Sequence, residues 1–314
     1  MEVASAVSEF MGYAVEWSPF QQNRLAVATA QHFGVIGTGQ QCIFDVVNGQ
    51  LVNVTTFSCP EGLFDCAWSE CNPNHVVSAC GNASVRLWDL SGQTPPRIFA
   101  EHTAEVYSVD WNLVSKDTFL SGSWDGTVKQ WHPGRPSSIR TFQEHTGCIY
   151  SSRWSPHRAE SFASASGDRT LRIWDQNAPR AAMCIPAHDH EVLTCDWNKY
   201  NPNIIATGSV DRTLRIWDLR SQRMLHCLKG HEFAVRRIKM SPHRETVVAS
   251  AAYDTTVRVW DYAAVDNPLL FQFDKHTEFV LGVDFNLFVE GQLATCAWDN
   301  RTFVLQLPVP ARGS

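Results

Sequence analysis

The sequence lacks several features that define other classes of protein. It has no uninterrupted apolar run of 18 residues, so no membrane-spanning helix is expected. Its first ten residues carry Glu2 and Glu9 but no Lys or Arg, which argues against a secretory signal or a mitochondrial presequence. The net charge is −6, from 26 basic and 32 acidic residues, so the chain lacks the positive field of a general nucleic-acid-binding protein.

Paired cysteine motifs are also missing. The ten cysteines are scattered and none stands in a Cys-x-x-Cys pair. In a chain of 314 residues with 44% apolar residues, they are best interpreted as reduced core residues of a protein in a reducing compartment such as the cytosol. The glycine-containing run at Gly37 lacks the lysine and the helix of a phosphate-binding loop. We therefore expect no cofactor.

A tryptophan repeat is the dominant positive signal. Five tryptophans stand 43 residues apart, a period that is typical of WD40 repeats: Trp88, Trp131, Trp174, Trp217 and Trp260. Short strands of alternating apolar and polar residues separate polar turns, and no helical stripe is present. Phe44-Asp45 and Leu305 mark one further unit on each side, which gives seven. The prediction is an all-β, seven-bladed WD40 β-propeller in one domain over residues 1–314. Its blades end near Asp45, Asp89, His132, Asp175, Asp218, Asp261 and Gln306.

Four units carry a His, a Ser or Thr, an Asp and a Trp at constant spacing. A buried Asp is costly without hydrogen-bond partners, so we expect each set to form a structural tetrad across the strands of its blade. The four sets are His102, Ser121, Asp125, Trp131; His145, Ser164, Asp168, Trp174; His188, Thr207, Asp211, Trp217; and His231, Ser250, Asp254, Trp260.

These sets do not predict a catalytic or metal site. They recur in four blades, whereas an active site occurs once, and a nucleophilic serine should be exposed rather than inside a sheet. The histidines are distributed around a ring, too far apart to share one ion. We therefore expect neither an enzyme nor a metal site.

The terminal units depart from the pattern. Cys59 and Asn82 stand where the second unit should have His and Asp, and Leu305 stands where the last should have Trp. We expect the segment Val3 to Phe10 to close the ring as the outer strand of the last blade, because an unpaired sheet edge is a liability. The tail from Pro308 to Ser314 is expected to be a loose end.

Several segments resemble the WD40 peroxins, the receptors for the type 2 peroxisomal targeting signal. The least generic are "ATAQHFG" in the first unit and "CDWNKYN" in the fifth, and the resemblance runs from about Gly12 to Phe303. It implies a cytosolic receptor that binds matrix enzymes through an N-terminal nonapeptide of the form Arg-Leu-x5-His-Leu. It also implies a co-receptor, a membrane docking complex and a receptor that cycles to the peroxisome.

Such a nonapeptide has a defined chemistry. In a helix of about 3.6 residues per turn, positions 1 and 8 fall on one face together with positions 2 and 9. The ligand is then a helix with one stripe that is both basic and apolar, which needs an apolar floor with acids nearby.

The residues predicted to contact this helix share one end of the propeller channel. By register, one residue per blade starts the inner strand there, three aromatic residues precede turn aspartates, and four glutamates occupy the same loops. The predicted contacts are Tyr13, Phe64, Tyr107, Tyr150, Leu193, Arg236, Leu281, Trp124, Tyr253, Trp298, Glu61, Glu105, Glu191 and Glu278.

Other interpretations stay open at this stage. A single aromatic residue here could serve packing alone, and a single Glu could be an ordinary solvated charge. Arg236 breaks the apolar pattern and could pair with Glu278 or Glu191, or contact the co-receptor. The main alternative function is a generic WD40 scaffold, such as a chromatin or ubiquitin-ligase adaptor that binds a basic peptide.

Overall fold

A computed structural model describes residues 1–92 and 94–308 of the chain. They form seven four-stranded antiparallel sheets, so the predicted all-β, seven-bladed propeller is confirmed. The predicted tail falls mostly on residues 309–314, outside the described part. Within that part, no helix is long and apolar enough to cross a bilayer.

Each of the first six blades is a run of four consecutive strands, from the channel outward. The first three blades contain β2 (Met11–Trp17), β3 (Arg24–Ala30), β4 (Gly39–Val47) and β5 (Gln50–Cys59); β6 (Leu63–Trp68), β7 (His75–Cys80), β8 (Val85–Asp89) and β9 (Arg97–Phe99); and β10 (Val106–Trp111), β11 (Phe119–Ser123), β12 (Val128–Trp131) and β13 (Arg140–Phe142). The next three contain β14 (Ile149–Trp154), β15 (Ser161–Ser166), β16 (Thr170–Asp175) and β17 (Met183–Pro186); β18 (Val192–Trp197), β19 (Ile204–Ser209), β20 (Leu214–Asp218) and β21 (Arg223–Leu228); and β22 (Val235–Met240), β23 (Val247–Ala252), β24 (Val257–Asp261) and β25 (Leu269–Phe273).

The last blade is closed by the start of the chain. It contains β26 (Val280–Phe285), β27 (Gln292–Ala297), β28 (Arg301–Gln306) and β1 (Glu2–Val7). Strand β1 lies antiparallel to β28, with Ser5 opposite Phe303. Lys275 forms an ion pair with Glu2 at 2.8 Å. The closing strand pairs an edge of the last sheet that would otherwise be open.

The core lies between neighbouring blades. The inner strands β6, β18 and β26 are buried along their whole length, whereas the outer strand β21 is mostly exposed. Apolar side chains of one blade pack against the next, as when Phe119 and Trp131 of the third blade join a cluster with Val77 of the second. Inner strands are therefore covered on both faces, and their buried charges are paired, as in the ion pair of Arg237 with Asp65 at 3.0 Å. Outer strands need only one apolar face.

Hydrogen-bonded side chains hold each tetrad together. In the fourth blade, Nδ1 of His145 lies 2.7 Å from Oδ2 of Asp168, and its Nε2 lies 2.7 Å from Oγ of Ser164. The Nε1–H of Trp174 donates to the same Ser164 oxygen at 2.8 Å. Burial opposes ionisation of Asp168, but the hydrogen bonds from His145 and Thr170 outweigh it and hold the carboxyl pKa below its usual range. The same contacts link the sets that begin at His102, His188 and His231.

The atypical blades use substitutes. In the last blade, His276 contacts Asp299 at 2.9 Å and Thr295 at 3.0 Å, and the ring of Phe303 packs on the imidazole with centroids 4.9 Å apart. In the second blade, the sulfur atoms of Cys59 and Cys80 lie 3.3 Å apart in place of a His–Asp pair.

Candidate peptide-binding face

The inner strands of all blades begin at one end of the channel, which we call the upper face. Turns between the second and third strands lie on this face as well, because backbone hydrogen bonds fix them to the loops before the inner strands. The amide N–H of Trp124 donates to the carbonyl oxygen of Glu105 at 3.0 Å, and that of Trp298 donates to Phe279 at 3.0 Å. These bonds place one turn side chain beside the start of the inner strand.

The predicted aromatic residues meet on this face. Ring centroids are 5.2 Å apart for Tyr13 and Phe64, 4.7 Å for Phe64 and Tyr107, and 6.0 Å for Tyr107 and Tyr150. The indole of Trp124 stacks on Tyr107 with centroids 4.6 Å apart and planes 14° from parallel. Large rings in mutual contact give a rigid apolar surface at low entropic cost.

The predicted contacts differ in depth. Five of them are 5% exposed or less and support the surface from beneath: Tyr13, Phe64, Leu193, Arg236 and Leu281. Five further ones are partly exposed and form what we call the aromatic floor: Tyr107, Tyr150, Trp124, Tyr253 and Trp298. A docked helix can therefore touch the second group directly, while the first group fixes its position.

Arg236 lies inside this cluster. Its guanidinium carbon is 5.6 Å from the centroid of the Tyr107 ring, a cation–π arrangement. Within residues 1–92 and 94–308 it forms no ion pair, and its Nη2 atom has no hydrogen-bond partner. Arg236 thus packs on Tyr107 and pairs with neither Glu278 nor Glu191, while the predicted contact with the co-receptor stays a prediction.

Acidic side chains surround the aromatic floor. Glu61, Glu191 and Glu278 are exposed and Glu105 is half-buried. In the described part of the chain none of the four is within 4.0 Å of a cationic nitrogen, so their charge is available to a ligand. The hydroxyl of Tyr150 donates to Oε2 of Glu191 at 3.3 Å, and burial together with this carboxylate raises the pKa of the phenol.

Two further aromatic residues belong to the face and were missed by the sequence analysis. The ring of Phe279 lies 4.7 Å from Tyr253 and 5.3 Å from Trp298, and Phe33 meets Trp298 edge-on at 5.1 Å. The signal for Phe279 was its register, one residue before its inner strand, as for Glu105 and Glu191. Phe33 lies in the "ATAQHFG" segment, where a short 3-10 turn over His32–Gly34 folds onto the floor.

Gly34 is required at that turn. Its φ is +69°, and a Cβ atom there would lie 2.6 Å from Cε1 of Phe64 and 2.7 Å from the hydroxyl of Tyr13. Only glycine tolerates both the conformation and the close approach. The turn leaves the Phe33 side chain 52% exposed at the edge of the floor.

The upper face combines the aromatic floor with the four acidic side chains around it. Among the residues that the structure describes, no group of three or more His, Cys, Asp or Glu side chains is placed to hold a metal ion. The arrangement fits a ligand that is apolar and basic on one side.

The repeat pattern matches a known protein family. The WD domain, G-beta repeat family matches residues 51–89, 93–132, 136–175, 181–218 and 222–261, more than half of the chain. The chain belongs to the WD40 repeat family. The matched ranges do not include the first-blade turn that carries Phe33 or the last-blade residues Phe279 and Trp298.

Curated relatives are similar over a shorter stretch. The peroxisomal targeting signal 2 receptor of Dictyostelium discoideum is 53% identical over 117 residues, 36% of this chain and 37% of that protein. The receptors of the same name are 44% identical over 114 residues in Saccharomyces cerevisiae and 47% identical over 102 residues in Homo sapiens. These matches cover 36% and 32% of this chain and 30% and 32% of the relatives. The chain thus matches about a third of the length of these relatives, and the predicted resemblance is confirmed over that stretch.

Proposed function

We propose that this WD40 protein is a cytosolic import receptor for matrix enzymes that carry the N-terminal type 2 peroxisomal targeting signal. It binds the signal as an amphipathic helix on the upper face and acts without catalysis. A co-receptor and a membrane docking complex complete delivery, and the receptor cycles between cytosol and peroxisome. The names of the relatives support the type of signal, and the upper face supports the mode of binding.

One observation carries the proposal: Trp124, Tyr107 and Tyr150 form a stacked and edge-on set beside the free carboxylate of Glu191. The leucines of an Arg-Leu-x5-His-Leu helix need such a floor, and its Arg and His need acids at the same level. A generic adaptor for basic peptides requires the acids but not the continuous aromatic floor.

The test is calorimetric titration of a nonapeptide helix against the folded protein. Trp124→Ala should weaken binding by at least about 2 kcal/mol, because truncation of a hot-spot aromatic usually costs that much. Trp124 is 37% exposed, so its loss should leave the fold intact. Tyr200→Ala is the matched control, since Tyr200 is 48% exposed on a loop at the opposite face. Tyr107 is a poorer choice because it also supports Arg236 and Phe64.

The acids are tested by a double-mutant cycle in the same experiment. Glu191→Lys should weaken binding of the Arg-bearing peptide by about 1 kcal/mol or more, and should have little effect on a peptide with Ala in place of Arg. Full affinity in both Trp124→Ala and Glu191→Lys would place the ligand elsewhere and refute the proposal. Binding of histone tails in preference to the nonapeptide would favour the scaffold function.

A further inference from the structure

The opposite end of the channel, where the inner strands end, holds a second depression. We call it the lower mouth. It is a cavity of about 110 Å³ whose apolar rim is formed by loops that follow the inner strands. The rim residues are Pro19, Leu113, Pro242 and Leu287. Leu113 is 40% exposed and Leu287 is 48% exposed, so the rim presents apolar surface to solvent.

Charged side chains line the lower mouth, and most of them are paired. Ion pairs join Asp110 to Arg153 at 2.8 Å, Asp196 to Lys199 at 2.9 Å and Asp284 to Lys239 at 3.1 Å. Glu16 and Glu70 also line the cavity. Within the described part of the chain, neither has a cationic nitrogen within 4.0 Å. Glu16 accepts a hydrogen bond from the backbone amide of Trp68 at 3.2 Å. Lys239 attracts Glu16 and Lys116 attracts Glu70 from a greater distance than an ion pair. In the described part of the chain, these two carboxyls of the site thus form no ion pair, whereas its other acids do.

The indole groups at and near the lower mouth differ in the hydrogen bonding of their Nε1–H groups. Trp68 lines the cavity and Trp197 holds the same strand position outside it, and each Nε1–H donates to a carbonyl oxygen of the preceding blade, at 3.1 Å and 3.0 Å. Trp17 and Trp154 hold the same position and line the cavity, and each is only 2% exposed. Their Nε1 atoms have no hydrogen-bond partner among the residues that the structure describes. Buried N–H donors normally have an acceptor, so these two indoles are a second unsatisfied feature of the cavity wall, independent of the acids.

We propose that the lower mouth is a second peptide-binding site, which takes an Arg or Lys side chain flanked by apolar residues. The cationic head group forms the ion pair that Glu16 and Glu70 lack, and it favours their ionised form. Apolar neighbours in the peptide cover Leu113 and Leu287, and peptide carbonyl oxygens accept from the indoles of Trp17 and Trp154. The volume admits the end of one side chain and excludes a whole helix. This site lies at the other end of the channel from the cargo face, so one receptor can hold cargo and a second partner together.

The probe is the peptide acetyl-Leu-Arg-Leu-amide, compared with the same peptide carrying neutral citrulline in place of arginine. Binding is followed by the indole N–H resonances of the full chain in a two-dimensional NMR titration, with Trp17→Phe and Trp154→Phe used for assignment. We expect a saturable shift of those two resonances with the arginine peptide and none with the citrulline peptide. The double variant Glu16→Gln/Glu70→Gln should raise the dissociation constant at least tenfold. Glu232→Gln should leave the dissociation constant unchanged, because Glu232 is exposed in the loop before β22, at the upper face.

Three results would overturn the proposal. The first is equal binding of both peptides, which would remove the role of charge. The second is that the indole N–H resonances of Trp17 and Trp154 do not shift at saturating peptide, which would show that the peptide does not supply their acceptor. The third is a concentration-dependent dimer in sedimentation that is lost in Leu113→Ser/Leu287→Ser, which would show that a second copy covers the rim. The nonapeptide titration at the upper face is independent of these three results. The proposal for one site can therefore be refuted while the proposal for the other stands.

Discussion

At the scale of single residues, Asp168 shows how one carboxylate joins the loop before β14 to the start of β16. It accepts from His145, from the amide of Thr146 and from both the amide and the hydroxyl of Thr170. Asp168→Ala removes the acceptor of these donors. Each donor that stays buried without a partner costs about 1–3 kcal/mol of folding free energy. We expect the free energy of unfolding in urea to fall by at least about 2 kcal/mol. Asp274→Ala is the control, because Asp274 is exposed. An unchanged midpoint in Asp168→Ala would mean that the tetrad contributes nothing to stability.

The same scale shows the limit of sequence-based prediction for the site. Register placed Tyr13, Phe64 and Tyr107 at equivalent positions, and their rings do meet. Register does not give depth, because depth depends on which neighbouring turns fold over a residue. The turn at Gly34 covers Tyr13 and Phe64, and its left-handed conformation departs from the repeat. Tyr150 has no such cover and stays partly exposed.

At the scale of elements, the closing strand β1 offers a matched pair of substitutions. Ala4 is 2% exposed and packs in a cluster with Val15 and Val304, whereas the adjacent Ser5 is exposed. Ala4→Asp buries an unpaired charge, so we expect a loss of about 3 kcal/mol or more in unfolding free energy. Ser5→Asp should change it by less than about 0.5 kcal/mol. Equal effects of the two substitutions in thermal unfolding would show that β1 does not stay on the sheet in solution.

The elements that were predicted most closely are those with strong side-chain constraints. In the four blades with a complete tetrad, the second and third strands carry its Ser or Thr and its Trp, and their positions follow from the repeat of 43 residues. Outer strands carry no such residues and only one buried face. Strand β9 has three residues, Arg97–Phe99, of which only Phe99 is buried. The position of such a strand is set by its pairing with the neighbouring strand. The local sequence pattern does not show this pairing.

At the scale of the whole molecule, two groups of carboxyls respond to pH with opposite signs. In the His–Asp contacts, burial is outweighed by hydrogen bonds that hold the carboxyl pKa below its usual range, for Asp125, Asp168, Asp211, Asp254 and Asp299. At the lower mouth, burial raises the pKa of Glu70 to about 7. The positive charge of Lys116 lowers this pKa somewhat, and the negative charge of Asp110 raises it. Burial also raises the pKa of Glu16, which faces Lys239, Asp284, Arg153 and Asp110.

Stability should therefore pass through a maximum in mildly acidic to neutral solution. The unfolded aspartates bind protons near pH 4, before the folded ones do, so their stabilisation is present above about pH 4 and is lost below it. The pKa of His188 is lowered by burial, and this adds a loss that begins below about pH 6.5. Glu16 and Glu70 bind protons in the folded state at a pH where the unfolded state does not, so stability rises as the pH falls from 9 toward 6.5. Each such proton changes the unfolding free energy by up to about 1.4 kcal/mol per pH unit.

Urea unfolding between pH 3 and pH 9 measures both slopes. Glu16→Gln/Glu70→Gln should flatten the alkaline slope, because the side chains can no longer lose a proton, and should leave the acidic slope as it is. Glu232→Gln should change neither. An alkaline slope that survives in the double variant would show that the lower-mouth carboxyls are ionised at neutral pH in the free protein. The arginine peptide should reduce the same slope in the wild type, since a cation stabilises the ionised carboxyls and releases their protons. One measurement thus links the stability of the propeller to the occupancy of the lower mouth.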